Sequence, residues 1–168
     1  MGATTFSGPV KSLGGFISAG SGNDINITAD DTLTVQGFAG RMLRVNDADC
    51  KITLPTIVAT APNDPTAPDQ ANNIGASFSF FIETTATDLD IKTDGTDKFV
   101  GGLYTGVTNA TGKTFISGAS NDVITLNGTT KGGLAGSTIT VTAIASAKYA
   151  VTGITLGSGT LVTPFADA

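Results

Sequence analysis

Residues 77–82 read Ser-Phe-Ser-Phe-Phe-Ile, and there Phe78, Phe80 and Ile82 alternate with Ser77, Ser79 and the residues beyond them. A repeat of two puts one set of side chains on one face of an extended chain, so the stretch can bury its aromatic rings only as a strand. The same period returns at Leu89 and Ile91, which alternate with Asp88, Asp90 and Lys92, and Phe99 and Val100 resume it after Asp94-Gly95. An Asp-Gly pair tolerates the positive φ of a tight turn, and so the spacing predicts a β-hairpin across residues 89–100. Its neighbour, the phenylalanine-rich segment, is expected at the centre of the core.

Composition extends this reading to the whole chain. Only 14% of the 168 residues are charged, while 40% are apolar. The polar surface must then be built from Thr, Ser, Asn and Gly, which suit strands and turns better than exposed helices. A chain of this length can bury roughly 70% of its unfolded surface in one domain. The expected fold is all-β: a single antiparallel β-sandwich or jelly-roll-like barrel with an extended N-terminal arm. The arm is placed at residues 1–24 and the β-domain at 25–168.

Further strands are expected where Leu33 and Val35 alternate with threonines from Thr32, at 42–45, around Ile52 and Leu54, at 122–126, and from Ser137 through Ile139, Val141, Tyr149 and Val151. Residues 101–112 are glycine-rich and read as a connection, and the C-terminal strands, reaching Phe165, are expected to close the sheet. Residues 61–73, with three prolines and no period, read as an exposed loop. The arm carries apolar side chains at Phe6, Val10, Leu13, Phe16 and Ile17 between glycines and Pro9. Such spacing suits an extended segment anchored on another surface.

Catalytic chemistry finds little purchase. The chain has no histidine, which removes the commonest general base and transition-metal ligand. Cys50 is the single cysteine; it excludes an internal disulfide and is expected to be an inert, partly buried thiol. Glu83, Asp88, Asp90, Asp94 and Asp97 invite a calcium reading, but Lys92 falls where an oxygen ligand is needed, and solvated strand edges and turn caps account for them better. Arg41 and Arg44, the only arginines, are spaced for opposite strand faces and ordinary ion pairs. The expectation is a protein that is not an enzyme and has no catalytic residues, cofactor or metal. A net charge of −5 and scattered basic residues argue against nucleic acid as partner, and no apolar run is long enough for a membrane helix. A soluble protein made in a reducing compartment fits best.

Two stretches carry a resemblance. The opening Thr5-Phe6-Ser7-Gly8-Pro9-Val10-Lys11-Ser12 with Gly15-Phe16, and the run from Phe80 through ETTATDLDIKTDGTDKFVGG, resemble capsid decoration (cement) and head structural proteins of tailed bacteriophages. The resemblance implies a virion protein, made in the bacterial host cytoplasm, that joins the capsid surface, often as a homotrimer. It also implies that the protein cements subunits of the major capsid protein. On that reading Thr5, Phe6, Ser7, Gly8, Pro9, Val10 and Phe16 of the arm contact the capsid. The alternative is a receptor- or carbohydrate-binding β-domain of a head fibre or tail spike, with Tyr104 as the stacking ring. A hydrolase would need a carboxylate pair such as Glu83 and Asp88 at close range.

Overall fold

The computed structural model describes residues 23–60 and 72–168. In chain order its elements are β1 (Asp24–Ile27), β2 (Asp31–Thr32), α1 (Val35–Phe38), β3 (Met42–Val45), β4 (Lys51–Thr53), β5 (Ser77–Ile82), β6 (Leu89–Lys92), β7 (Lys98–Val107), β8 (Lys113–Ile116), β9 (Val123–Leu126), β10 (Thr138–Ala145), β11 (Lys148–Gly157) and β12 (Phe165–Ala166). They form a seven-stranded sheet, ordered β1-β3-β5-β10-β11-β7-β8, and a five-stranded sheet, ordered β12-β9-β6-β4-β2. The two inner faces make one hydrophobic core, and the all-β sandwich expected from the sequence is the architecture.

The core follows from period two. Phe78, Phe80 and Ile82 of β5 point inward and are at most 1% exposed, as are Leu89 and Ile91 of β6, Ile124 and Leu126 of β9, and Ile139 and Val141 of β10. Tyr149 of β11 is fully buried with its hydroxyl donating to the Pro55 carbonyl, so the ring's polar tip is satisfied inside the core.

Strand pairing is mixed rather than antiparallel throughout. From β1 to β6 the chain crosses between the sheets at every connection, so each strand re-enters its own sheet running the same way as the last. The ladders β1–β3, β3–β5, β2–β4 and β4–β6 are accordingly parallel. The hairpin expected across 89–100 is a casualty of this topology: β6 belongs to the small sheet and β7 to the large one. Its turn chemistry is nevertheless present. Gly95 takes φ +87°, and the Asp94 carboxylate accepts from the Thr96 and Asp97 N–H groups, but the turn carries the chain across the sandwich instead of back along β6.

Three other expectations are corrected. Residues 35–38 form one helical turn in place of a strand, capped by the Thr34 hydroxyl accepting from Gly37 N–H, while Leu33 enters the core. The glycine-rich connection at 101–112 is largely strand, since β7 continues to Val107. Gly101 sits within β7 at φ +125°, where a Cβ would collide with the Val151 carbonyl of β11. The glycine permits a close backbone approach and does not break the strand. Finally, Asn73, at the end of the expected loop, is buried. Its side chain accepts from Val58 N–H and donates to the Thr56 carbonyl, pinning the strand-side stem. Residues 61–71 lie outside the described residues.

Because Phe80 is fully enclosed, Phe80→Ala is expected to cost about 3–5 kcal/mol in urea unfolding. Thr125→Ala on the outer face of β9 is expected to stay within about 0.5 kcal/mol. Equal effects from the two substitutions would contradict the placement of the core.

Candidate interaction surface

Fixing the inward rows also fixes what each sheet shows outside. On the large sheet the register lines up Phe81, Thr138, Ile154, Tyr104 and Thr114 in one outward row across β5, β10, β11, β7 and β8. The next row is Ser79, Thr140 and Thr152 across β5, β10 and β11, with Gly102 and Ile116 paired beyond it across β7 and β8. Across these five strands neither row contains a charge; beyond β5 the first continues to Arg44 of β3 and the second through Met42 to Asp24 of β1. Ile116 is 76% exposed and Ile154 54%, and Met42, Val100, Tyr104, Ile144 and Leu156 stand exposed on the same face. These seven are most of the nine large apolar side chains exposed among the described residues, the others being Ile74 and Val162. Scattered exposed hydrophobics are ordinary, but their gathering on one sheet face, with Ile154 and Tyr104 paired across β11 and β7, is the pattern that contact surfaces carry.

The small sheet is the opposite. Its outward row sets Lys51 beside Asp90 and Thr125, and Thr53 beside Lys92. The Lys51 ammonium lies 3.1 Å from Asp90 Oδ2 and 2.9 Å from Asp88 Oδ2. A charged and ion-paired face is well solvated, so the sandwich has one side suited to water and one suited to a partner.

Charges on the large sheet are confined to its margins. Arg44 of β3 bonds both Asp24 of β1 (3.2 Å) and Glu83 after β5 (2.5 Å), the surface ion pairing expected for it. At the start of β7, Lys98 pairs with Asp122 at 2.6 Å. Lys148, at the start of β11, is exposed and makes no ion pair with a described residue. Lys98 and Lys148 flank a cleft of about 460 Å³ whose walls include Val100 and Ile116.

The groups weighed for chemistry are dispersed. Cys50 is 2% exposed, and burial, with Asp47 and Asp30 adding negative charge, pushes its thiol up to about 11, which leaves little thiolate near neutral pH. Glu83 and Asp88 are held by different cations, Arg44 and Lys51, in place of facing each other as an acid–base pair. Asp94 and Asp97 serve the turn and the core: Asp97 Oδ2 accepts from Ile57 N–H. Among the described residues no group of three or more Cys, Asp or Glu is placed to hold a metal ion. Asp90 Oδ1 is buried without a hydrogen-bond partner, but its neighbour is the Lys51 ammonium, which disfavours a cation there. Tyr104 stands on β7 and not in a loop, 45% exposed between Ile154 and Thr114. The arm residues Thr5, Phe6, Ser7, Gly8, Pro9, Val10 and Phe16 lie outside the described residues.

What sequence reasoning overlooked is the outer face of the large sheet. Its signal was available: from Thr138 to Gly157 both alternating sets consist of hydroxyl-bearing, small or apolar residues, with Lys148 the one charge. A strand that is uncharged on both faces has two faces to cover.

Asp122 supplies a pH signature. Burial alone would raise its carboxyl, but the Lys98 ammonium and the Ala168 N–H outweigh it and hold the group below its ordinary value. A depressed carboxyl stabilises the fold above its unfolded pKa, and that contribution is lost as pH falls through the folded one. Asp97 runs the other way: burial, with the Asp94 charge, pushes it up against the pull of the Ile57 N–H, so it loses stability as pH rises through its titration. Asp122→Asn is therefore expected to lower stability at pH 7 by about 1 kcal/mol, and the difference should close as pH falls below the ordinary carboxylate range. A penalty independent of pH in thermal melts would contradict the pairing with Lys98.

No protein-family model matches the chain, and neither a curated protein nor a solved structure matches it.

Proposed function

We propose that the chain is a non-enzymatic virion structural protein that binds the outside of a tailed-phage capsid and cements neighbouring subunits of the major capsid protein through its N-terminal arm. The observation that carries this reading is the one-sided chemistry of the sandwich. One sheet offers an uncharged face of threonine and aliphatic side chains, and the other an ion-paired face fit for solvent. A domain built this way belongs between a surface and water, which is the station of a protein laid on a shell. The groups weighed for catalysis are spent on ion pairs, turns and the core, as described above.

The arm supplies the second support. β1, the first strand of the described residues, opens at Asp24 on one edge of the large sheet. Phe6, Pro9, Val10 and Phe16 can each bury apolar surface on a partner, and a fully buried Val or Phe side chain contributes about 1.5–3 kcal/mol. Many copies on one shell multiply so modest a contact.

The test is co-sedimentation with undecorated heads of the phage whose genome encodes the chain, using full-length protein and a form lacking residues 1–20. Full-length protein is expected to sediment with the heads, and the truncated form to remain in the supernatant at the same concentration. If neither form sediments, the capsid reading fails. A glycan array would then take up the receptor-binding alternative through the exposed Tyr104 ring.

A further inference from the structure

We propose that the outer face of the large sheet is covered by the same face of a second copy of this chain, the two related by a two-fold axis lying in the plane of contact. The inference concerns the free protein and does not rest on the capsid reading: the pair forms without heads, and on that reading the same face exchanges the second copy for the shell.

Electrostatics limit where two copies can meet. Each copy carries a net charge of −5, so two copies repel unless they meet where neither presents charge. The two central rows of the large sheet meet that condition across five strands. The outer face of the small sheet, with Lys51, Asp90 and Lys92, does not.

Charge stands instead at the corners of the sheet. β5 and β11 both run antiparallel to β10 and hence parallel to each other. Lys148, at the start of β11, and Glu83, just past the end of β5, therefore lie at opposite ends of the sheet. They also lie on opposite sides of β10, Glu83 towards β3 and β1, Lys148 towards β7 and β8. The charges are thus at diagonal corners. In one corner Asp24 and Glu83 share the single cation Arg44, leaving a net negative charge. In the other, Lys98 is neutralised by Asp122, leaving Lys148 as a net positive charge. A two-fold in the contact plane, running across that diagonal, brings each copy's Lys148 to the other's Asp24–Arg44–Glu83 cluster. The symmetry makes the match twice, once at each end, as an isologous contact requires.

Size is adequate. Seven strands about 4.8 Å apart and outward rows running about 20 Å along β7 give a projected face of roughly 600 Å², near the ~800 Å² that each partner contributes to a stable complex. Sheets facing each other pack about 10 Å apart, either aligned or near right angles, and a two-fold running across the diagonal turns the strands of the two copies steeply against each other, in the orthogonal class, where Ile154 and Tyr104 can lie over the threonine rows of the other copy.

The experiment is light scattering of the full chain between about 1 and 100 μM, a span that brackets ordinary protein–protein affinities. The expected mass is that of two chains of 16.8 kDa. Thr152→Lys, which places a charge at the centre of the face, should give single chains, whereas Thr125→Lys on the small sheet should leave the pair intact. Lys148→Glu should weaken association at least about tenfold, and adding Glu83→Lys in the same chain should restore most of it, since the exchanged charges again meet across the axis. That restoration keeps the proposal testable even if Thr152→Lys does not fold, because a merely structural role for Lys148 would not be rescued by a residue at the opposite corner. A wild-type mass of one chain at 100 μM would overturn the pairing. So would a mass of three chains that survives Thr152→Lys, or a failure of the double exchange to restore association.

Discussion

The inward burial of Phe78, Phe80 and Ile82 is the constraint on which the remainder of the structure turns. Side chains on a strand alternate strictly, so committing these three to the core commits Ser77, Ser79 and Phe81 to the outside, and a slip of one residue would exchange the two sets. The commitment spreads by register. β10 pairs with β5 so that Ile139 and Val141 join the core and Thr138, Thr140 and Thr142 face out, and β11 and β7 follow in turn. The uncharged outer face is thus the other half of the decision that built the core.

Topology explains why the two outer faces differ. The first six strands alternate between sheets, so neighbours in one ladder are separated in sequence by a full circuit of the sandwich. Acidic and basic residues near the turns, such as Asp30, Lys51, Asp88 and Asp90, are thereby gathered on the small sheet, where Lys51 serves Asp88 and Asp90 together. The long strands β7, β10 and β11 stay in the large sheet and bring threonine and aliphatic side chains with them. Charge is sorted by which sheet a segment joins.

This sorting separates what was legible in the sequence from what was not. Strand existence and the inward residues could be read directly at 77–82, 89–92, 123–126 and 138–141, because period two is a local property. Partner choice is not local. Asp94-Gly95 has the chemistry of a hairpin turn, and the turn forms, yet β6 finds its partners in β4 and β9 and β7 finds its own in β11 and β8. Glycine misled in the same way: at Gly101 and Gly102 it reads as a break, whereas neighbouring backbones come too near for a Cβ. The thiol of Cys50 and the ion pairing of Arg44 were legible. The interaction face was not, because it is assembled from five strands whose order no single stretch contains.

The same face bears on how the sheet edge avoids indiscriminate pairing. Among the described residues β8 ends the large sheet, with Ile116 76% exposed, and β1 ends the other side. Exposed edges invite uncontrolled strand addition, and natural sheets guard them with charge, bulges or cover. β1 has charge, since Asp24 binds Arg44 on its outward side. β8 has Lys113 at its start, its ammonium on the Leu161 carbonyl, but shows Thr114 and Ile116 outward. A partner lying over the large face covers Ile116 and crowds the β8 edge at once, whereas a partner on the small sheet would do neither. Closing the apolar face therefore also shields the edge that the sequence leaves least protected, and the ion-paired small sheets remain outermost to keep the closed assembly in water.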